Sequence, residues 1–178
     1  IDKQWALPPR ESGVAEFESA PHKEWQDLRM AVYAAMIDSM DQNIGRLLTT
    51  LDEEGVADNT LVLFLADNGG CAETPGGNDP KQVPGPKEFY SHCGPGWAYA
   101  QNTPFRRYKS WSYEGGIATP LVARWPKTIK PGTMTNQVGH IIDFMPTFLE
   151  MAGAEYPEEH YEPEILPVEG IALLPELQ

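Results

Sequence analysis

Apolar residues along the chain follow two different rhythms. From Trp25 through Leu28, Val32, Met36, Met40, Ile44 and Leu47 to Leu51 they recur at three- and four-residue steps. That spacing lays one apolar stripe along a helix. It predicts a helix over residues 24–54 with Gly55 as its C-terminal cap. Gly45 interrupts it at a cost of about 1 kcal/mol relative to alanine, which points to close packing at that position. After a turn at 56–60 the rhythm changes. Leu61-Val62-Leu63-Phe64-Leu65-Ala66 is continuously apolar, as in a parallel strand buried on both faces. Helix then buried strand is half of an α/β unit.

Further along the signals are weaker. A second strand is expected at 117–125, and a short helix at 143–152 with Asp143 as its N-cap and Gly153 as its stop. His140, just ahead of that helix, reads as structural. Residues 69–103 read as one long loop containing Gly76-Gly77, Pro84, Pro86 and Gly94-Pro95-Gly96. Loops of that length inside a domain are usually functional or mobile. Residues 1–22, with Pro8, Pro9 and Pro21, form an irregular lead-in, and 154–178 an acidic end rich in Pro and Glu.

Composition adds that the pattern is incomplete. The chain has 178 residues, 17 of them Pro and 16 Gly, and two strands do not make a doubly wound sheet. It also begins without an initiator Met or signal peptide. Part of a longer domain is therefore expected. No run approaches the ~20 apolar residues of a membrane span. The two cysteines, Cys71 and Cys93, fit either one disulfide within the loop or two free thiols.

The net charge of −13 is uneven along the chain. Residues 1–80 carry a net −10, residues 81–130 a net +6, and residues 131–178 a net −9 with no Lys or Arg at all. The cationic stretch holds Arg106, Arg107 and Lys109 and fits attraction of a small anion. It is too narrow for nucleic acid, which calls for a broad basic surface. Lys81, Lys87, Lys127 and Lys130 read as solvated loop charges.

Asp67-Asn68-Gly69 ends the strongest strand, where ligands of open α/β sheets collect. A carboxylate and an amide oxygen are hard donors suited to Ca²⁺ or Mg²⁺, but the same three residues also make an ordinary polar turn. Asp38 and Asp41, three apart on the long helix, read as solvated carboxylates. His92 in the long loop is either a proton donor or an incidental histidine. His22 and His160 carry no signal. Arg106 and Arg107 either bind an anion or pair with acidic neighbours.

The order of motifs goes further than any one of them. Ala66-Asp67-Asn68-Gly69, a long loop, Thr103-Pro104-Phe105-Arg106, Lys109, Glu114-Gly115-Gly116 and Pro120 follow one another. Asp143-Phe144-Met145-Pro146-Thr147 and Gly170-Ile171-Ala172-Leu173-Leu174-Pro175 come after them. From about Lys23 to the end this resembles the sulfatase family of the alkaline phosphatase superfamily, bacterial arylsulfatases in particular. The resemblance implies an α/β fold, part of an alkaline-phosphatase-like sandwich with a mainly parallel sheet flanked by helices. Residues 1–178 would be one partial catalytic domain, with 23–153 as the segment bearing the site.

By the same resemblance the activity is hydrolysis of sulfate esters, on a small molecule or a sulfated carbohydrate. Asp67 and Asn68 would be two ligands of a divalent cation, most often Ca²⁺, and Lys109 would contact the sulfate. Glu114 would shape its turn. The formylglycine nucleophile, made in a Cys-x-Pro-x-Arg motif, would lie in an N-terminal part of the same enzyme. Cys93-Gly94-Pro95-Gly96-Trp97 has Cys-x-Pro but Trp97 in place of Arg. A periplasmic or secreted location is implied, with no nucleic-acid or membrane partner. Alternatives are a phosphate or phosphonate diesterase of the same superfamily and a non-catalytic, metal-stabilised binding domain.

Overall fold

The long helix forms as α1, Lys23–Glu53, in a computed structural model that describes residues 7, 9–74, 79–157 and 166–177. Pro8, the Gly76-Gly77 pair and His160 lie outside the described residues. Gly55 ends the helix in the left-handed region, at φ 69°. Its N–H donates to the Asp52 carbonyl at 3.0 Å, and the Val56 N–H to that of Leu51 at 3.1 Å. Two of the carbonyls a helix end leaves open are thereby satisfied. Gly45 corrects the sequence reading, because a Cβ there would meet nothing within 4 Å. The apolar stripe is largely uncovered: Met36 is 67% exposed and Leu47 53%. No described helix is long and apolar enough to cross a membrane.

Contacts divide the chain into one unit of Ile1–Thr50 and Leu65–Leu121, and another of Leu51–Phe64 and Val122–Gln178. In the first, the N-terminal turns of α1 anchor the long connection that follows Gly70. The Trp25 indole donates to the Gln82 carbonyl at 2.7 Å, and the Trp97 indole to the Gln26 carbonyl at 2.9 Å. Arg29 is buried, lies over the Trp25 ring at 4.5 Å and donates to the Cys93 carbonyl at 2.7 Å. Burial lowers its pKa from the usual arginine value.

Residues 94–101, expected as loop, form helix α2, Gly94–Gln101. Pro95 sits in the first turn, where the N–H it lacks would have no partner within the helix anyway. Ala98 on this helix is fully buried. Residues 114–117, the end of the cationic motif, form one helical turn, α3, Glu114–Ile117. The second strand is therefore shorter than expected and begins only beyond Pro120, which has no N–H for a ladder.

In the second unit, β1 (Val62–Phe64) pairs with β2 (Val122–Arg124). The register sets Val62 opposite Arg124 and Phe64 opposite Val122, and the pairing is antiparallel. This departs from the parallel, doubly buried strand expected of residues 61–66, since Phe64 is exposed. An apolar run records how greedily a strand seeks burial; its direction depends on the partner it meets. The chain is α/β in content, and its described strands form this one antiparallel pair.

The short helix is α4, Phe144–Ala152, stopped by Gly153 at φ 61° as expected. Asp143 stands at its N-cap, also as expected, but makes no side-chain capping bond there. A 3-10 turn, Ile141–Asp143, precedes the helix, and His140 caps that turn. His140 Nδ1 accepts from the Ile142 N–H at 3.3 Å, while the Asp143 carboxylate accepts from the His140 N–H at 2.7 Å. Asp143 also takes the Ile171 N–H at 2.9 Å. These bonds, that from Ile171 first, hold its carboxyl below the usual Asp range. The buried Thr147 hydroxyl donates to the Asp143 carbonyl at 2.6 Å and accepts from the Leu173 N–H at 2.8 Å. The last helix, α5 (Leu174–Leu177), follows directly.

Candidate functional site

Glycines interlock two segments of the first unit. The Gly69 N–H donates to the Gly116 carbonyl at 3.0 Å, and the Gly115 N–H to that of Arg106 at 2.9 Å. A Cβ on Gly69 would stand 1.8 Å from the Gly115 oxygen, and one on Gly116 would stand 2.0 Å from the Trp111 oxygen. Only glycine admits backbones this close. The Lys109 N–H adds a bond to the Gly70 carbonyl at 3.1 Å. Asn102 spans the joint: its Oδ1 accepts from the Gly70 N–H at 2.9 Å and its Nδ2 donates to the Arg107 carbonyl at 3.2 Å. The Thr119 hydroxyl holds the Ala66 carbonyl at 2.8 Å.

This joint brings Asp67, Asn68 and Lys109 to one region of the unit. Asp67 is exposed and Asn68 half-buried. Lys109 Nζ lies 3.4 Å from Glu73 Oε2, and Ser110 Oγ lies 3.4 Å from Glu73 Oε1. The Cys71 thiol is 3.5 Å from Glu73 Oε2. Glu73 raises the Lys109 pKa above its ordinary value, with a smaller contribution from Asp67. The Cys71 thiol, then Lys109, hold the Glu73 carboxyl below its own. Two surface hollows, one lined by His22, Lys23, Glu24, Trp25 and Pro80 and the other by Gln42, Gly45, Arg46, Thr49 and Thr50, include neither Asp67 nor Lys109.

The donor chemistry at Asp67 and Asn68 suits a hard cation. No ion pair among the described residues engages Asp67. Asn68 Nδ2 donates to the Gly69 carbonyl at 3.0 Å, which uses the nitrogen of the amide and spares its oxygen. Ca²⁺ takes six to eight oxygens, and no group of three or more His, Cys, Asp or Glu among the described residues is placed to hold an ion. Asp67 and Asn68 offer one carboxylate and one amide oxygen, short of a complete ligand set by themselves.

Other candidates resolve as follows. Arg106 and Arg107 meet Glu11 at 3.8 Å and 3.2 Å. Arg107 lies over the Trp111 ring at 4.3 Å, and Arg106 over Tyr113 at 5.1 Å. Of the two readings left open for them, pairing with an acidic neighbour is the one present. Glu114 heads α3, with its backbone carbonyl accepting from the Ala118 N–H at 2.8 Å. The His92 ring lies 6.5 Å from that of Tyr90. Asp38 and Asp41 are exposed on α1, and Asp38 accepts from Gln42 at 2.8 Å. Cys71 and Cys93 are free thiols.

Glu73 and Asn102 were not singled out from sequence. Asn102 opens the Thr103-Pro104-Phe105-Arg106 motif, so its position in that order was the available signal. Glu73 meets Lys109 across 36 residues of sequence, and nothing in the local pattern marks it.

Comparison with known proteins gives consistent likenesses. A sequence model of the sulfatase family matches residues 5–154. An arylsulfatase of Klebsiella aerogenes is 31% identical over 97% of this chain and 38% of its own length. An uncharacterized sulfatase of Schizosaccharomyces pombe is 32% identical over 79% of this chain and 28% of its own. Among solved structures, one in complex with its substrate D-glucosamine-2-N,6-O-disulfate aligns with a TM-score of 0.53 at 28% identity, covering 82% of this chain and 22% of that one. The chain thus spans well under half the length of each of these proteins.

Proposed function

The chain belongs to the sulfatase family, whose named relatives are hydrolases, and from that premise we propose that it supplies the C-terminal part of the catalytic domain of a sulfuric ester hydrolase. One observation carries the reading. The interlock of Gly69 with Gly115 and Gly116 gathers Asp67, Asn68 and Lys109 from segments about forty residues apart.

On this reading Asp67 and Asn68 contribute a carboxylate and an amide oxygen to a divalent cation, Ca²⁺ by family resemblance. When bound, such a cation withdraws electron density from sulfate oxygens and lowers the pKa of a coordinated nucleophile. Lys109 presents an ammonium, a compact charge with three donors. It contacts the sulfate and neutralises the negative charge that builds toward the leaving oxygen as the ester bond breaks. Asn102 keeps the Asp67 and Lys109 segments in register through its two backbone bonds. The formylglycine and the remaining ligands fall to a part of the enzyme outside this chain. The parallel sandwich and a periplasmic or secreted location belong to the same proposal. Sulfated carbohydrate is the favoured substrate class, because a solved relative holds a disulfated glucosamine.

The test is Asp67→Ala in the full-length protein, with metal content by elemental analysis and turnover of an aryl sulfate and a glucosamine sulfate. Metal and activity should be lost together. Metal retained in the variant would return Asp67-Asn68-Gly69 to an ordinary turn. Wild-type cleavage of an aryl phosphate or phosphonate diester to its monoester and phenol, with both sulfate esters left intact, would favour the diesterase, and turnover of none of these substrates a binding domain.

A further inference from the structure

A carboxylate that the proposed reaction does not use stands among its donors. Glu73 Oε2 lies 3.4 Å from the Lys109 ammonium and 3.5 Å from the Cys71 thiol, and Oε1 lies 3.4 Å from the Ser110 hydroxyl. Several donors converging on one small anion is what recognition of a tetrahedral oxyanion also requires. We propose that Glu73 is a built-in competitor: its carboxylate occupies the anion position beside Lys109 until a sulfate group displaces it, and so sets the affinity of the site for oxyanions. The inference rests on the reading of Lys109 as the sulfate contact.

The backbone keeps these groups together. The Lys109 N–H bonds the Gly70 carbonyl at 3.1 Å, which ties the segment bearing Cys71 and Glu73 to the segment bearing Lys109 and Ser110. Ser110 has φ 78°, a left-handed conformation that a non-glycine residue adopts only when its surroundings impose it. The hydroxyl is thus held next to the ammonium, both within reach of the same carboxylate.

The contacts are also weak enough to exchange. The Lys109 and Ser110 contacts lie at the long end of hydrogen bonding, and the side chains of Glu73 and Lys109 are 56% and 37% exposed. An exposed pair of this kind contributes little. A carboxylate and a sulfate group accept from the same ammonium and hydroxyl donors, so an incoming anion replaces contacts like for like. A neutral ligand offers nothing in return for displacing Glu73. The same competition weakens retention of inorganic sulfate, the product of the proposed reaction, and favours its departure.

Calorimetric titration of inorganic sulfate into the full-length protein tests this, with wild type, Glu73→Gln, Glu73→Asp and Asp79→Asn compared. Glu73→Gln removes the competing charge, and Glu73→Asp keeps the charge but withdraws it by one methylene. Both should tighten sulfate binding, by roughly two- to fivefold, the scale of an exposed ion pair. Asp79→Asn, which neutralises another acid of the same connection, should leave it unchanged and controls for the general field. Unchanged or weaker binding in either Glu73 variant overturns the proposal, as does equal tightening in Asp79→Asn. Turnover by wild type is scored separately. A protein that hydrolyses no sulfate ester loses the proposed function, while the titrations still decide whether Glu73 competes for the anion position.

Discussion

The backbone N–H of Gly69 donates to the carbonyl of Gly116 at 3.0 Å, with the Gly115 oxygen filling the space a side chain on Gly69 would need. Gly69→Ala would put a methyl 1.8 Å from that oxygen, so the two backbones must part. In the full-length enzyme this change should cost about 3 kcal/mol, the upper part of the overpacking range, and lower kcat/KM at least about a hundredfold by misplacing both sides of the site. Denaturant midpoints and steady-state kinetics check it. A variant with wild-type values in both would mean the interlock is dispensable.

Asn102 serves two backbones at once. Asn102→Ala leaves the Gly70 N–H and the Arg107 carbonyl without their partner, an expected loss of about 1–3 kcal/mol. Urea unfolding measures it. Activity should fall as well, because the bond lies between the segments that carry Asp67 and Lys109, and a loss of stability with kcat untouched would separate the two roles.

Lys109→Ala should lower kcat by about 10²–10³, the scale of removing one stabilising donor. Thermal stability should scarcely move, since the exposed pair with Glu73 contributes little to folding. Near-normal kcat/KM across several sulfate esters would remove Lys109 from the site.

Asp143 predicts a pH dependence. Its pKa is depressed in the folded state, chiefly by the Ile171 N–H and then by that of His140. The folded state therefore gains stability from it that is fully present above the ordinary Asp pKa of about 3.9. That gain is lost as pH falls from there through the lowered folded value. Asp143→Asn should lower the unfolding temperature near neutrality and flatten its fall in acid. Parallel pH curves for variant and wild type would show that the carboxylate carries no linkage.

Much of the helical framework was legible because helices announce themselves locally. The three- and four-residue rhythm from Trp25 to Leu51 located α1, and Gly55 and Gly153 adopt the positive φ that helix ends favour. Strand direction was not legible, since Leu61 to Ala66 specifies appetite for burial and leaves the partner open. Gly94-Pro95-Gly96 looked like a turn, yet proline at a first turn also starts a helix, as α2 shows. Asp143 takes the N-cap place of α4 that its residue type suggested, but its carboxylate turns back to the His140 N–H of the preceding 3-10 turn, a bond that residue type alone does not reveal. Within the site, Asp67, Asn68 and Lys109 stood out as chemistry-bearing types. The Glu73 carboxylate and the Glu11 pairing of Arg106 and Arg107 did not, because each is a contact between distant segments that no local pattern encodes.

The open stripe of α1 has a calorimetric consequence. Unfolding raises heat capacity in proportion to the apolar surface newly wetted, by about 12–15 cal/mol/K per residue in an ordinary globular protein. Side chains such as Met36 and Leu47, already more than half wetted at 67% and 53%, have little left to add. The 178-residue chain taken by itself should therefore melt with a heat-capacity step clearly below that range. The size of the shortfall would gauge how much oily surface this helix holds ready for a covering layer.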